Sequence, residues 1–196
     1  MERTTEILDT AQELFGKYGF AKTTMSDIAK QLGLSKASLY YYYPDKDSIY
    51  LAVITKEQVQ FINMLHDSIL KTENPTDILY QYVQIRIKYF SVMMNLNRAR
   101  FESFMRMNEA MKNSWKEFRK KEEIEIQFVL QKGIDQGVFG VEKLDKTTSL
   151  FLDTFKGLIF YYLKNKDFNF LDKSDFMALE EQLTLFTSIF IKGIKK

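Results

Sequence analysis

Residues 23–46 read TTMSDIAKQLGLSKASLYYYYPDK, and the rest of the chain has to accommodate what they form. Thr24 is placed to cap a short helix, with Asp27 three residues on as its capping-box partner. Ile28, Ala29 and Leu32 then give that helix one apolar face at helical spacing. Gly33 ends it, because the tight turn calls for a residue that tolerates positive φ. Ser35 is set to cap a second helix, Lys36 to about Tyr42, with Leu39 and Tyr40 packing inward. A small Ala29 permits a close crossing, Gly33 makes the turn and Leu39 closes the little core. The three together predict a helix-turn-helix whose second helix is free to enter a DNA major groove.

Working outward, Thr4–Tyr18 carries Ile7, Ala11, Leu14, Phe15 and Tyr18 on one stripe, which predicts a first helix covering the pair. Lys46 to about Lys71 predicts one long helix, with Ile49, Val53, Ile54, Val59, Ile62, Leu65 and Ile69 as its apolar positions. Asn74-Pro75 marks a restart, with the next helix running to about Met94. Arg98 to about Met111 reads as a shorter helix, and Ser114 with Glu117 as a capping box opening another that ends softly near Gly133 and Gly137. Asp145 is expected to cap a helix to about Lys164, and Ser174 to cap the last, to Lys195. The expectation is therefore an all-α chain of about nine helices. A three-helix DNA-binding head at residues 1–46 leads through the long helix into a helical body at 47–196.

Composition agrees with helices and excludes several functions. Two prolines and eight glycines in 196 residues disfavour a sheet protein. The absence of cysteine excludes disulfides and thiol catalysis, and suits a reducing compartment. The N-terminus lacks a signal-peptide core, and the longest apolar stretch, Gly157–Leu163, is too short to cross a bilayer, so a cytoplasmic protein without membrane contact is expected. His66 is the single histidine, so no histidine-based metal site or triad forms around it. The acidic pairs Glu122-Glu123 and Glu180-Glu181 point to different sides of a helix and read as solvated faces. No phosphate-cradling glycine loop appears either. Neither an enzyme, a metal nor a cofactor is expected. A formal net charge of +2 is no nucleic-acid signal by itself, and residues 1–46 balance six basic groups against six acidic ones. Helix-turn-helix geometry, not bulk charge, is what points to DNA.

The motif also resembles the signature of the TetR (tetracycline-repressor-like) family of transcriptional regulators. The matching residues are Ile28, Ala29, Gly33, Leu34, Ser35, Leu39, Tyr40, Tyr43, Lys46 and Asp47, preceded by Leu14-Phe15, Gly19-Phe20 and Thr23-Thr24. The resemblance covers about residues 4–51. Tyr42 stands where many members carry histidine, and either can donate to a phosphate; Pro44 stiffens the exit from the helix. The resemblance implies a dimeric, ligand-responsive repressor on a palindromic DNA operator, with effector binding and dimerisation in the body at 47–196.

Candidate sites follow. Lys36, Ala37, Ser38 and Tyr41 lie at the start and outer face of the second motif helix, where base edges are read. Thr24, Tyr42 and Lys46 suit phosphates: a helix N-terminus, a phenol and an ammonium. Phe61, Met64, Tyr89, Phe90, Met93, Phe101, Phe104, Met105, Asn108 and Phe155 are the candidates for the effector site that the resemblance implies inside the body, suited to a hydrophobic or aromatic small molecule. Most such Met and aromatic stripes are plain core. The last two helices are more apolar than one core face needs, and in the resembled family they form the dimer's four-helix bundle. Gly157, Leu158, Tyr161, Leu183, Phe186 and Phe190 are accordingly expected at a homodimer interface. The alternative is a helix-turn-helix protein that acts mainly through a protein partner, its body offering an apolar surface instead of a closed cavity.

Overall fold

The computed structural model describes residues 2–97, 109–164 and 172–196. Among them are eight helices and no strand: α1 (Glu2–Tyr18), α2 (Met25–Gln31), α3 (Lys36–Tyr42), α4 (Lys46–Lys71), α5 (Pro75–Asn97), α6 (Glu109–Asp135), α7 (Leu144–Lys164) and α8 (Lys173–Ile194). The chain is all-α. Its contacts divide it into two compact units, Met1–Val59 with Phe90–Trp115, and Gln60–Tyr89 with Lys116–Lys196. The division falls inside α4 instead of at its start, so the first unit reaches beyond residue 46. The helix expected from Arg98 lies outside the described residues, except for its last three positions, which belong to α6.

In the first unit Ile7, Ala11 and Phe15 bury the inner stripe of α1, while Tyr18, expected on that stripe, is exposed. Phe15, Phe20 and Tyr50 form an aromatic cluster with ring centroids 4.7–5.5 Å apart, mostly edge to face. Polar contacts tie α1 to α4: Gln12 Nε2 donates to Glu57 Oε1 at 2.7 Å, and Lys56 pairs with Asp9. Glu57 and Gln58 are buried where the apolar pattern of α4 left them unassigned, and Val59 is exposed instead. Ser114 opens no helix. It sits inside α6, and its hydroxyl donates to Gln58 Oε1 at 2.8 Å.

The second unit is centred on Phe61, Leu65, Tyr82, Val129, Phe151 and Phe155. Asn74 and Pro75 start α5 as expected, with Asn74 Oδ1 accepting from Thr76 N at 3.0 Å. Two other starts differ. Asp172, not Ser174, caps α8, in a capping box with Asp175. Asp145 lies within the first turn of α7, where its carboxylate accepts from Gln127 Nε2 at 3.0 Å. The end of α6 is firm. Val138 N donates to Gly133 O at 2.8 Å and Gly137 N to Ile134 O at 2.9 Å, with Gly137 at φ 71°, which is a Schellman closure. The Phe139 ring then lies against Gly133, in space that a Cβ would occupy.

Gly133→Ala is expected to destabilise the chain by about 1–3 kcal/mol through overpacking against Phe139. Thermal or denaturant unfolding measures this, and an unchanged midpoint would mean that the ring has room to shift.

Candidate nucleic-acid interface

The interface begins with two seven-residue helices and the turn between them. Thr24 caps α2 through a complete capping box: its backbone N donates to Asp27 Oδ2 at 2.8 Å, and Asp27 N donates back to Thr24 Oγ1 at 3.2 Å. Hydrogen bonds from the Thr24 hydroxyl and backbone, helped by Lys30 and Lys46, hold the Asp27 carboxyl below its ordinary pKa. The exit of α2 is another Schellman closure. Leu34 N donates to Ala29 O at 2.9 Å and Gly33 N to Lys30 O at 3.2 Å, with Gly33 at φ 66°. Ser35 then caps α3, accepting from Ser38 N at 3.0 Å.

Leu39, fully buried, is the anchor of α3. At about 100° per residue, the side of a helix opposite position 39 is occupied by positions 37 and 41. Ala37 is exposed and Tyr41 is 85% exposed. Ser38 flanks them and Lys36 opens the helix nearer the Leu39 side, both exposed. The Lys36 ammonium lies 5.8 Å from the centroid of the Tyr40 ring, and Tyr42 meets Tyr41 edge to face at 5.4 Å. Tyr40, expected inside, is exposed, so three of the four tyrosines present phenol to solvent; burial of Tyr43 pushes its phenol pKa up. Ala37, Tyr41 and Ser38 thus present a methyl and two hydroxyls on the outer side of α3, and Lys36 and Tyr42, nearer the Leu39 side, add an exposed cation and phenol; these are the groups that contacts with base edges and phosphates require.

Lys46 faces the other way. Its ammonium donates to the carbonyls of Phe20 and Thr23, both at 2.7 Å, and lies 4.2 Å from the Phe20 ring centroid. Thr23, buried beside it, donates its hydroxyl to Gly19 O at 2.9 Å, with Gly19 at φ 81°. The first turn of α4 thereby holds the α1–α2 connection, a clamp that spacing alone did not reveal. The motif supplied a lysine at the right place, but which way its stem runs depends on Phe20, twenty-six residues earlier.

The effector candidates are not brought together as one set. Phe61, Tyr89 and Phe155 are buried in the second unit, Met64 is exposed there, and Phe90 belongs to the first unit. The Met93 side chain and Phe101, Phe104, Met105 and Asn108 lie outside the described residues. What sequence reasoning missed is Glu122, which is buried and not solvated. It accepts from Tyr82 Oη and Arg86 Nη1, each at 2.8 Å. Among the dimer candidates Gly157 and Tyr161 are exposed, Leu158, Phe186 and Phe190 half-buried, and Leu183 lies fully in the chain's own core. Among the described residues no helix is long and apolar enough to cross a membrane.

Residues 7–53 match the family described as bacterial regulatory proteins, tetR family. The biofilm operon icaADBC HTH-type negative transcriptional regulator IcaR of Staphylococcus epidermidis is 31% identical over 98 residues, 48% of this chain and 53% of that protein. The chain thus spans about half the length of the curated relatives it matches. Over its whole length it is 30% identical to a transcriptional regulator of Cytophaga hutchinsonii, whose crystal structure is covered completely at a TM-score of 0.93. A transcriptional regulator from Saccharomonospora viridis, solved in complex with choline, shares the fold at a TM-score of 0.75 and 19% identity, with all of this chain and 98% of that one covered.

Lys46→Met keeps the stem over Phe20 and removes the donors. It is expected to lower the thermal midpoint while leaving unchanged the slope of log affinity for DNA against log salt. A slope reduced by about one would place the ammonium on a phosphate instead.

Proposed function

We propose that this chain, which belongs to the TetR family of transcriptional regulators, is a homodimeric repressor released from a palindromic operator by a small hydrophobic or aromatic effector. The exposed residues of α3 carry the reading: Leu39 is buried, Ala37 and Tyr41 stand opposite it with Ser38 alongside, and Lys36 is exposed at the helix start. Lys36 is suited to guanine O6 and N7, and Ala37 to a thymine methyl. Thr24 and Tyr42 are assigned to phosphates, and Lys46 to holding α4 against the α1–α2 connection. DNA binding belongs to the region of residues 1–46, effector binding and dimerisation to residues 47–196.

One seven-residue helix reads too short a site for an operator, so two copies are required. The surface suited to a second copy lies on α7 and α8, which pack together. Leu150, Phe160, Tyr161, Leu185 and Ile189 are each more than half exposed there, a concentration of apolar surface that solitary monomers seldom carry. Two heads would then meet successive major grooves about 34 Å apart. Effector binding shifts the equilibrium between DNA-competent and released states only by its differential affinity for them, commonly about 1–3 kcal/mol of coupling.

Selection of random duplex DNA on the purified protein tests this directly. A palindromic motif is expected, absent when Lys36→Ala and Tyr41→Ala are combined. No enriched motif from a folded dimer would move the reading to a protein partner. Ile189→Glu is expected to give monomers by light scattering, and a persisting dimer would place the interface elsewhere.

A further inference from the structure

The interior of the second unit holds an ion pair with an unusual neighbourhood. Arg86 on α5 donates Nη1 to Glu122 Oε1 on α6 at 2.8 Å, and Tyr82 Oη donates to the same oxygen at 2.8 Å. The centre of the guanidinium lies 5.4 Å from the centroid of Phe61, 5.8 Å from Tyr89 and 5.7 Å from Phe118. Tyr89 and Phe118 are stacked at 5.4 Å, and Phe61 approaches both at 5.1 and 5.3 Å. Three aromatic rings and one buried carboxylate are the chemistry that recognises an organic cation, and a planar one above all. Here the cation is the chain's own.

A purely structural role explains this poorly. Burying two charges costs several kcal/mol per ion, and well-packed apolar residues of similar volume commonly do as well or better. Tyr82 and Arg86 nevertheless stay ready for polar work. Burial, reinforced by the Glu122 carboxylate, keeps the Tyr82 phenol protonated as a donor. Burial is the largest single influence and opposes the charge on Arg86, but Glu122, Tyr82 and Tyr89 together outweigh it and raise its pKa.

The two partners differ in how easily they leave. Glu122 has a short stem, a side chain only 3% exposed, and a second hold through Tyr82. Arg86 has a long flexible stem, and its side chain is already 13% exposed. An incoming anion would have to take the place of Glu122 and strand a carboxylate in the interior. An incoming cation needs only to send the Arg86 guanidinium outward, leaving Glu122 paired throughout. The easier exchange sets the charge of the ligand.

We propose that Arg86 is a resident self-ligand in a cation site formed by Phe61, Tyr89, Phe118 and Glu122, and that the effector is a planar organic cation that displaces it. This rests on the effector reading given above and names its chemical class. Displacement also supplies what a switch requires, since the guanidinium has one position in the empty site and another in the filled one.

Benzamidinium, benzamide and benzoate share one shape and differ in charge, and calorimetric titration of each into the full-length protein tests the site. Benzamidinium is expected to bind at least ten-fold tighter than the other two. Arg86→Met, which removes the internal competitor, should raise benzamidinium affinity a further ten-fold, and Glu122→Gln should abolish the preference. Benzoate bound ahead of benzamidinium, with that binding lost in Arg86→Met, would overturn the proposal by making Arg86 the anchor for an anion. Binding of none of the three, or of all three alike, would overturn it as well; if Arg86→Met does not fold, the ranking on the unsubstituted protein decides. Operator release is scored separately. Benzamidinium that binds without loosening the protein from its selected DNA upholds the cation site and defeats the effector reading, whereas release by benzoate alone does the reverse.

Discussion

Short helices cannot hold themselves, and that constraint governs the whole first unit. At seven residues each, α2 and α3 lie well below the length at which a helix persists in water. Each turn end leaves backbone donors or acceptors without intrahelical partners, and in so short a helix the two ends account for most of the backbone. The chain answers at every end. Thr24 and Asp27 exchange hydrogen bonds at the start of α2, Leu34 and Gly33 close its exit, and Ser35 receives the amide of Ser38. What remains is orientation, which comes from Leu39 below and from Lys46 at the side. The caps of α3 sit at its ends and its apolar anchor behind it, so Ala37 and Tyr41 stand exposed opposite Leu39.

The same distinction separates what was legible in the sequence from what was not. Caps and turns within a few residues of one another were readable: Thr24 with Asp27, Gly33, Ser35 and Asn74-Pro75 all act as local chemistry requires. Where two neighbours compete for one cap, spacing alone does not choose. Asp172 and Ser174 both suit the start of α8, and Asp172 prevails by accepting from the amides of Ser174 and Asp175 and exchanging with the Asp175 side chain. Ser114 has every local mark of a cap yet lies in mid-helix, because its hydroxyl finds Gln58, fifty-six residues away in sequence. Gly133 looked like a weak point and is instead the place where Phe139 fits.

Charge burial was the least legible feature. Glu122 stands in a run of charged residues, KKEEIE, and periodicity reads such a run as a wet face. Its burial follows from partners on another helix, Tyr82 and Arg86, whose positions no local pattern relates to it. Arg86 could be noticed among aromatic residues, but not its enclosure by Phe61, Tyr89 and Phe118. Leu183 errs in the opposite direction: an apolar residue on an apolar helix, assigned to a partner and in fact consumed by the chain's own core.

The two lysine and arginine placements show why a cation's role cannot be read from its position alone. Lys46 and Arg86 each lie against an aromatic surface, and each spends its donors within the protein. Their acceptors differ in kind. Lys46 meets two backbone carbonyls, which are neutral and fixed by the chain trace, so removing the ammonium leaves only unfilled acceptors behind. Arg86 meets a carboxylate, which keeps a full charge in the interior and demands a replacement whenever the guanidinium leaves. A neutral acceptor pair makes a clamp; a buried anion makes a vacancy that only another cation can fill. That difference in acceptor chemistry, more than the shared aromatic setting, is why Lys46 reads as scaffold and Arg86 as an occupant.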